Sequence, residues 1–179
     1  MDIRVSNVKI HFKLHRRISY PKKPHKYKSY SNFFTCREGK YVFTVFPLKG
    51  HVNVSGLLSY DQGFDAVKTF KEIFNIELNE KDISIIIDNS TASGQLKGYN
   101  TLLLPKLLLF NPTPFTISIR PHFFPCALLR AEKNFFSDLK PATVILFSNG
   151  KFVIVGAKSH RQLVYTFNEL KSKIIAISK

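Results

Sequence analysis

Acidic residues are scarce in this chain. Twelve Asp and Glu stand against 27 Lys and Arg in 179 residues, a formal charge of +15 with a pI ≈ 9.9. None falls in 3–37, 39–60, 89–131 or 139–168, and half of them lie between Asp61 and Asp82. A chain this basic suggests a polyanion partner, most often nucleic acid, although a merely solubilising surface has the same composition. The lopsided placement of the acids favours one surface turned toward phosphates. Cysteine is also scarce: Cys36 and Cys126 give no disulfide framework and no zinc spacing, and suit a reducing compartment. No apolar run approaches the roughly 18 uncharged residues of a membrane helix. The longest, 102–110, contains Pro105 and Lys106. The opening MDIRVSNVK lacks an h-region and a cleavage site, so no signal peptide is expected.

Catalytic motifs are missing as well. There is no glycine-rich phosphate loop, no paired carboxylate in a plausible cleft and no nucleophile motif. The histidines His11, His15, His25, His51, His122 and His160 are scattered. His11 and His15 would share a helical face, but 3–13 reads as a strand, which argues against a metal pair. Neither an enzyme nor a bound cofactor is expected.

What is present is a sizeable core, with 44% hydrophobic residues and 17 Phe. The length suits one domain or two fused half-domains. Residues 3–13 alternate; Ile3 and Val5 mark one apolar phase, Val8, Ile10 and Phe12 the other, so a bulge is expected between them. Residues 14–29 form a basic, Pro-containing connection, read as a short helix followed by a loop. Strands are predicted over 30–37, 41–46 and 51–55, the last closed by Gly56. Phe64, Val67, Phe70, Ile73 and Phe74 then recur at helical spacing and read as a core stripe.

The order then restarts. A strand is expected from 83 through Asn89 to about Leu96, a short helix over 102–109 and an edge strand over 115–119. Residues 142–147 and 152–155 are apolar runs joined by Asn149-Gly150, a two-residue hairpin signal. A helix over about 160–174 closes the chain, with Leu163, Val164, Phe167, Leu170 and Ile174 as its buried stripe. The halves align: Phe46 pairs with Phe147, Gly56 with Gly156 and Ser59 with Ser159, once one extra residue is allowed in the first turn. Val5-Ser6-Asn7-Val8 matches Ile87-Asp88-Asn89-Ser90. The expected organisation is two repeats, 1–78 and 79–179.

The segment 124–159 is the most specific. It reads Phe124-Pro125-Cys126-Ala127-Leu128-Leu129-Arg130, then a strand ending in Phe147, then Ser148-Asn149-Gly150-Lys151, then a strand running to Gly156-Ala157-Lys158-Ser159. This closely resembles the C-terminal repeat of the TATA-binding protein family. The resemblance covers most of the chain, is fair in 41–59 and 1–10, and is weak in 14–36. It implies an α+β fold: a pseudo-twofold saddle of two repeats, with a curved antiparallel sheet under helices on the convex face. It implies binding to the minor groove of double-stranded DNA, A/T-rich promoter DNA in that family, in transcription initiation. It also implies transcription factor IIB-like or RNA polymerase-associated protein partners, no membrane, and a location in the nucleus or a viral transcription compartment.

Residue by residue, the resemblance assigns Asn7 and Asn89 to the central amides. Such amides offer donors to a groove that shows only acceptors at A·T steps. Phe124 and Phe147 match one pair of wedges that kink the duplex. Phe46 matches one member of the other pair, whose mate falls on Tyr30 or Ser31. Groove-floor positions are Ile145 and Val153, replaced by the more polar Thr44 and Asn53 in the first repeat. The hydroxyl position before the hairpin-closing Gly is Ser55 in one repeat and Val155 in the other. Arg37, Arg130, Lys151 and Lys158 are placed for phosphate contact.

Departures are clear. The first wedge is eroded, the segment Arg120-Pro121-His122-Phe123 lacks the acids with which the family meets transcription factor IIB, and 131–140 is a longer tip. Such divergence suits a specialised paralogue or a version carried by a large DNA virus. A saddle-fold protein-interaction module, and a binder of RNA or single strands that stacks bases on its aromatics, remain as alternatives.

Overall fold

The structure, a computed structural model, describes residues 3–19, 27–77, 83–99, 102, 104–109, 115–119, 125–131 and 141–178. The chain divides into two compact units, a first of Asn7–Asp88 and a second of Met1–Ser6 with Asn89–Lys179. Each combines antiparallel strands with one long helix, so the chain is α+β. Among the described residues no helix is long and apolar enough to cross a membrane.

The first unit takes β1 (Ile3–Lys13) from Asn7 onward, β2 (Tyr27–Ser29), β3 (Phe34–Glu38), β4 (Tyr41–Phe46) and β5 (His51–Leu57). They lie in the order β2-β3-β4-β5-β1. Helix α1 (Gln62–Phe74) and the opening residues of β6 (Ile85–Gln95) complete the unit. Alternate residues of each strand are buried: Val8, Ile10 and Phe12; Phe34 and Cys36; Tyr41, Phe43 and Val45; Val52 and Val54. That period of two puts one apolar row beneath α1. Phe70 meets Phe12 edge-on at 5.3 Å and lies 5.6 Å from Phe43; Phe74 stacks on Phe70 at 4.3 Å and lies 5.9 Å from Phe34. Burying each such ring contributes about 2–3 kcal/mol. The same burial, with Glu38 nearby, pushes the Cys36 thiol up to about 11.

The buried face of α1 is Gly63, Ala66, Val67 and Phe70. Phe64, expected in that stripe, is 70% exposed. Gly63 takes the closest approach to Ile10 and Ile85, and one residue on the helix turns about 100°, which carries Phe64 to the rim. The helix stops at Asn75, which adopts φ 48° and lets the Ile76 N–H reach the Lys71 carbonyl at 3.0 Å.

The second unit takes β6 from Asn89, a 3₁₀ turn over Leu104–Leu109, β7 (Phe115–Ile119), β8 (Cys126–Ala131), β9 (Thr143–Phe147), β10 (Lys151–Ala157) and α2 (His160–Ser178). The strand order is β6-β10-β9-β8-β7. Ala92, Leu129, Val144, Leu146, Phe152 and Ile154 are buried, as are Leu163, Phe167, Leu170 and Ile174 of α2. Phe167 stacks on Phe152 at 5.5 Å. The helix starts with Ser159 as its N-cap: the Gln162 N–H donates to Ser159 Oγ at 3.1 Å, and Gln162 Oε1 accepts the N–H of the preceding Lys158 at 2.7 Å.

Three local expectations change. The bulge expected in 3–13 is carried by the partner strand. Val8 faces Leu57 and Ile10 faces Val54, so β5 holds the extra residue at Ser55-Gly56, with Gly56 at φ 92°. A glycine tolerates that φ and β1 has none. β10 repeats the bulge, with Ile154 facing Ala92 and Ala157 facing Ser90 around Gly156 at φ 86°. The Asn149-Gly150 hairpin is a three-residue loop rather than a two-residue one. The Gly150 N–H closes onto the Phe147 carbonyl at 3.0 Å and only Gly150 has positive φ. In the basic connection, 14–19 forms no helix, Tyr27–Ser29 is a strand, and 20–26 lies outside the described residues.

The two bulge glycines differ in their surroundings. A Cβ at Gly56 would collide with the Lys40 carbonyl oxygen, whereas one at Gly156 would have its nearest neighbour at 3.9 Å, Ala142 Cα. Gly156→Ala should therefore cost about 1–2 kcal/mol from its φ alone. Gly56→Ala should cost at least twice that, measured by urea unfolding of the two variants.

Candidate nucleic-acid interface

The strand positions not covered by helix form the opposite face of each unit. Read across the strands of the first unit, the central row is Thr35, Thr44, Asn53 and His11, each the register partner of the next. Arg37, Val42 and Ser55 form the row on one side; Phe46, His51 and Lys13 form the row on the other. In the second unit the corresponding central row is Leu128, Ile145, Val153 and Ser93. Arg130, Thr143 and Val155 flank it.

The sequence candidates fall on these rows as follows. Ile145 and Val153 are direct partners on β9 and β10, half-buried, beside Leu128 at 41% exposure. Ser55 and Val155 are half-buried and sit at the two bulges, each just before its glycine. Phe46 and Phe147 are half-buried at the ends of β4 and β9. Arg37, Arg130 and Lys151 are exposed. Lys158 is half-buried where β10 gives way to α2, its N–H held by Gln162. Asn7 is exposed on β1. Asn89 is half-buried, and its Oδ1 accepts the Gly156 N–H at 2.9 Å. That bond fixes the amide: with the oxygen committed to the bulge, the Nδ2 donors are the groups left to a ligand. Phe124 lies outside the described residues, as do 120–123 and most of the 131–140 tip.

The sequence reading missed a line of rings in the first unit. Residues 30–33 form a turn rather than the start of a strand, closed by the Tyr30 N–H donating to the Phe33 carbonyl at 2.8 Å. Tyr30 stacks on Phe33 at 4.5 Å, Phe33 lies 5.5 Å from Phe46, Phe46 lies 5.8 Å from His51, and His51 lies 4.9 Å from His11. The neighbour of Phe46 is thus Phe33, not Tyr30 or Ser31. Adjacent Phe33 and Phe34 carried the signal: strand alternation must send one ring to each face. His11 Nδ1 donates to Asp88 Oδ1 at 2.6 Å, and His51 Nε2 donates to Asn53 Oδ1 at 2.9 Å. Lys13, Phe46, Lys49, His51 and Asn53 line an open depression of about 500 Å³.

Electrostatically the second unit's open face is one-sided. Its strands lie within 89–131 and 139–168, which hold no carboxylate side chain, while Arg130 and Lys151 flank the apolar row. Among the described residues no group of three or more His, Cys, Asp or Glu could hold a metal ion.

No family model matches the chain, and no curated protein matches it. Among solved structures, one of Methanococcus jannaschii TBP is similar, with a TM-score of 0.77 at 22% identity over 98% of this chain and 99% of that one. The likeness at that identity shows the fold, and the α+β class expected from the sequence is the one found.

The Asn89 geometry separates scaffold from ligand roles. Asn89→Ala should lower stability by about 1–2 kcal/mol, because the Gly156 N–H loses its acceptor. Asn89→Asp keeps an acceptor there and should unfold within about 0.5 kcal/mol of the parent. Thermal and urea unfolding of both variants checks the pair.

Proposed function

We propose that this chain binds and bends duplex DNA through the minor groove, as a basal transcription initiation factor of the TATA-binding type without catalysis or cofactor. One observation carries the reading. An outward-facing apolar row of Leu128, Ile145 and Val153 lies between Arg130 and Lys151 in a stretch free of carboxylates. A soluble surface has little reason to hold such a row open to water unless a partner covers it. The minor-groove floor is a shallow, uncharged strip bordered by phosphates, so apolar contact along the middle and cations on the margins complement it. Asn89, its oxygen tied back, supplies donors for the acceptors of that floor. Phe147 and Phe46 sit at strand ends, where an aromatic edge enters a base step.

In this reading each of the two copies, 1–78 and 79–179, offers its own open face to DNA. Partners are transcription factor IIB-like or RNA polymerase-associated proteins, and the place of action is the nucleus or a viral transcription compartment. The ring line from Tyr30 to His11 supports a second reading, base stacking with a single strand. The same titration separates the two.

A duplex of about three helical turns, labelled at both ends, is titrated with the full chain while energy transfer reports the end-to-end distance. Shortening on binding is expected, with at least tenfold preference over a single strand of equal length. Phe147→Ala should leave the unfolding transition in place and reduce the bend. Arg130→Ala with Lys151→Ala should lower the slope of log K against log salt by roughly 1.8, about 0.9 per lost phosphate contact. Equal affinity for the single strand, or binding without any change in end distance, would contradict the proposal.

A further inference from the structure

The central rows of the two open faces differ in chemistry at three of their four registers; at the fourth, Ser93 and His11 are both polar. Leu128, Ile145 and Val153 carry no hydrogen-bonding side-chain atom. Thr35, Thr44, Asn53 and His11, in the matching registers, all carry one. We propose that the two units read different base pairs: the second unit takes an A·T half-site, and the first takes a half-site containing G·C. This rests on the minor-groove reading above and assigns Thr35, Thr44 and Asn53 as its specificity-determining residues.

The chemistry of the groove makes the distinction. A·T and T·A pairs present only acceptors there; a G·C pair adds the guanine 2-amino group, a donor that projects from the floor. Pressed against Leu128, Ile145 and Val153, that donor would lose its water and gain no acceptor, so the second unit selects against it. The first unit offers hydroxyl acceptors at two registers. Threonine hydroxyls accept at Thr35 and Thr44. His11 Nδ1–H donates to the Asp88 carboxylate, since a carboxylate only accepts, and that bond fixes the orientation of the ring. His51 Nε2–H donates to Asn53 Oδ1, which fixes both side chains. Both imidazoles are thus oriented by a partner, and His11 remains 22% exposed. An A·T floor presents only acceptors and so supplies no donor to the Thr35 and Thr44 oxygens, whereas a guanine 2-amino group supplies one.

A consequence is directionality. A protein whose halves demand different pairs binds a non-palindromic site in one orientation, with no help from a partner.

The test selects bound duplexes from a random pool with the full chain, then replaces guanine by inosine in the winners. Inosine still pairs with cytosine but lacks the 2-amino group. The expected result is an asymmetric site, A·T over one half and at least one G·C in the other, with inosine weakening binding about tenfold. Thr44→Ile with Asn53→Val gives the first unit the residues of the second; its sites should become A·T over both halves and insensitive to inosine. Ile145→Thr with Val153→Asn should do the reverse and admit G·C in both halves. All four positions face outward and are half-buried, so these swaps leave the helix-covered core untouched. The guanine-to-inosine ratio is taken within one protein and does not depend on the active fraction. Symmetric A·T sites, or no effect of inosine while the duplex is still bound and bent, overturn this inference and leave the proposed function standing. Failure to bind or bend any duplex overturns both.

Discussion

Phe70 lies between Phe12 and Phe43, and Phe167 lies on Phe152. These contacts decide which side of each strand is core. Once the helix claims one set of alternate residues, the other set is committed to the opposite face, because a strand has no third direction. Slipping a strand by one residue would bury Thr44 and Asn53 and expose Phe43 and Val54, so the register is held by the whole apolar row at once. The composition of the open face is therefore a separate choice from stability. Leu128, Ile145 and Val153 gain little by facing water, and Thr44 or Asn53 at the same registers would serve the fold equally well.

The bulges join the two concerns. Ser55-Gly56 and Val155-Gly156 each add one residue opposite β1 or β6, and each is positioned by a glycine at positive φ. In the second unit the bulge N–H at Gly156 is met by the side-chain oxygen of Asn89. One side chain thereby satisfies the scaffold and is oriented by it. The placement of charge follows the same division. Carboxylates gather around α1, at Asp61, Asp65 and Glu72, while the strands of the second unit's open face hold none.

Much of this was legible in the sequence. The β9–β10 hairpin, the closing helix and the edge strand 115–119 follow from apolar runs and turn residues. The outward placement of Ile145 and Val153 follows from alternation. What was not legible depends on contacts distant in sequence. Phe64 looked like a core residue because helical spacing does not say where the sheet comes closest, and Gly63 decides that by meeting Ile10 and Ile85. The 3–13 bulge was placed on the wrong strand because the extra residue in the β1–β5 pairing sits at Ser55-Gly56, where a glycine takes the positive φ. His11 and His51 are 40 positions apart in the chain and looked unrelated; the β1–β5 register, with Lys13 facing His51, is what brings their rings together.

The central claim is that the face turned away from the helices is the one that meets nucleic acid. Methyl NMR of the full chain with a duplex tests it most directly, since β9 and β10 carry reporters on both faces. Duplex addition should shift Ile145 and Val153, on the open face, and leave Val144 and Ile154, beneath α2, nearly unmoved. Shifts confined to the helix-side methyls and to α1 or α2 would contradict the account and move the interface to the other side of the sheet.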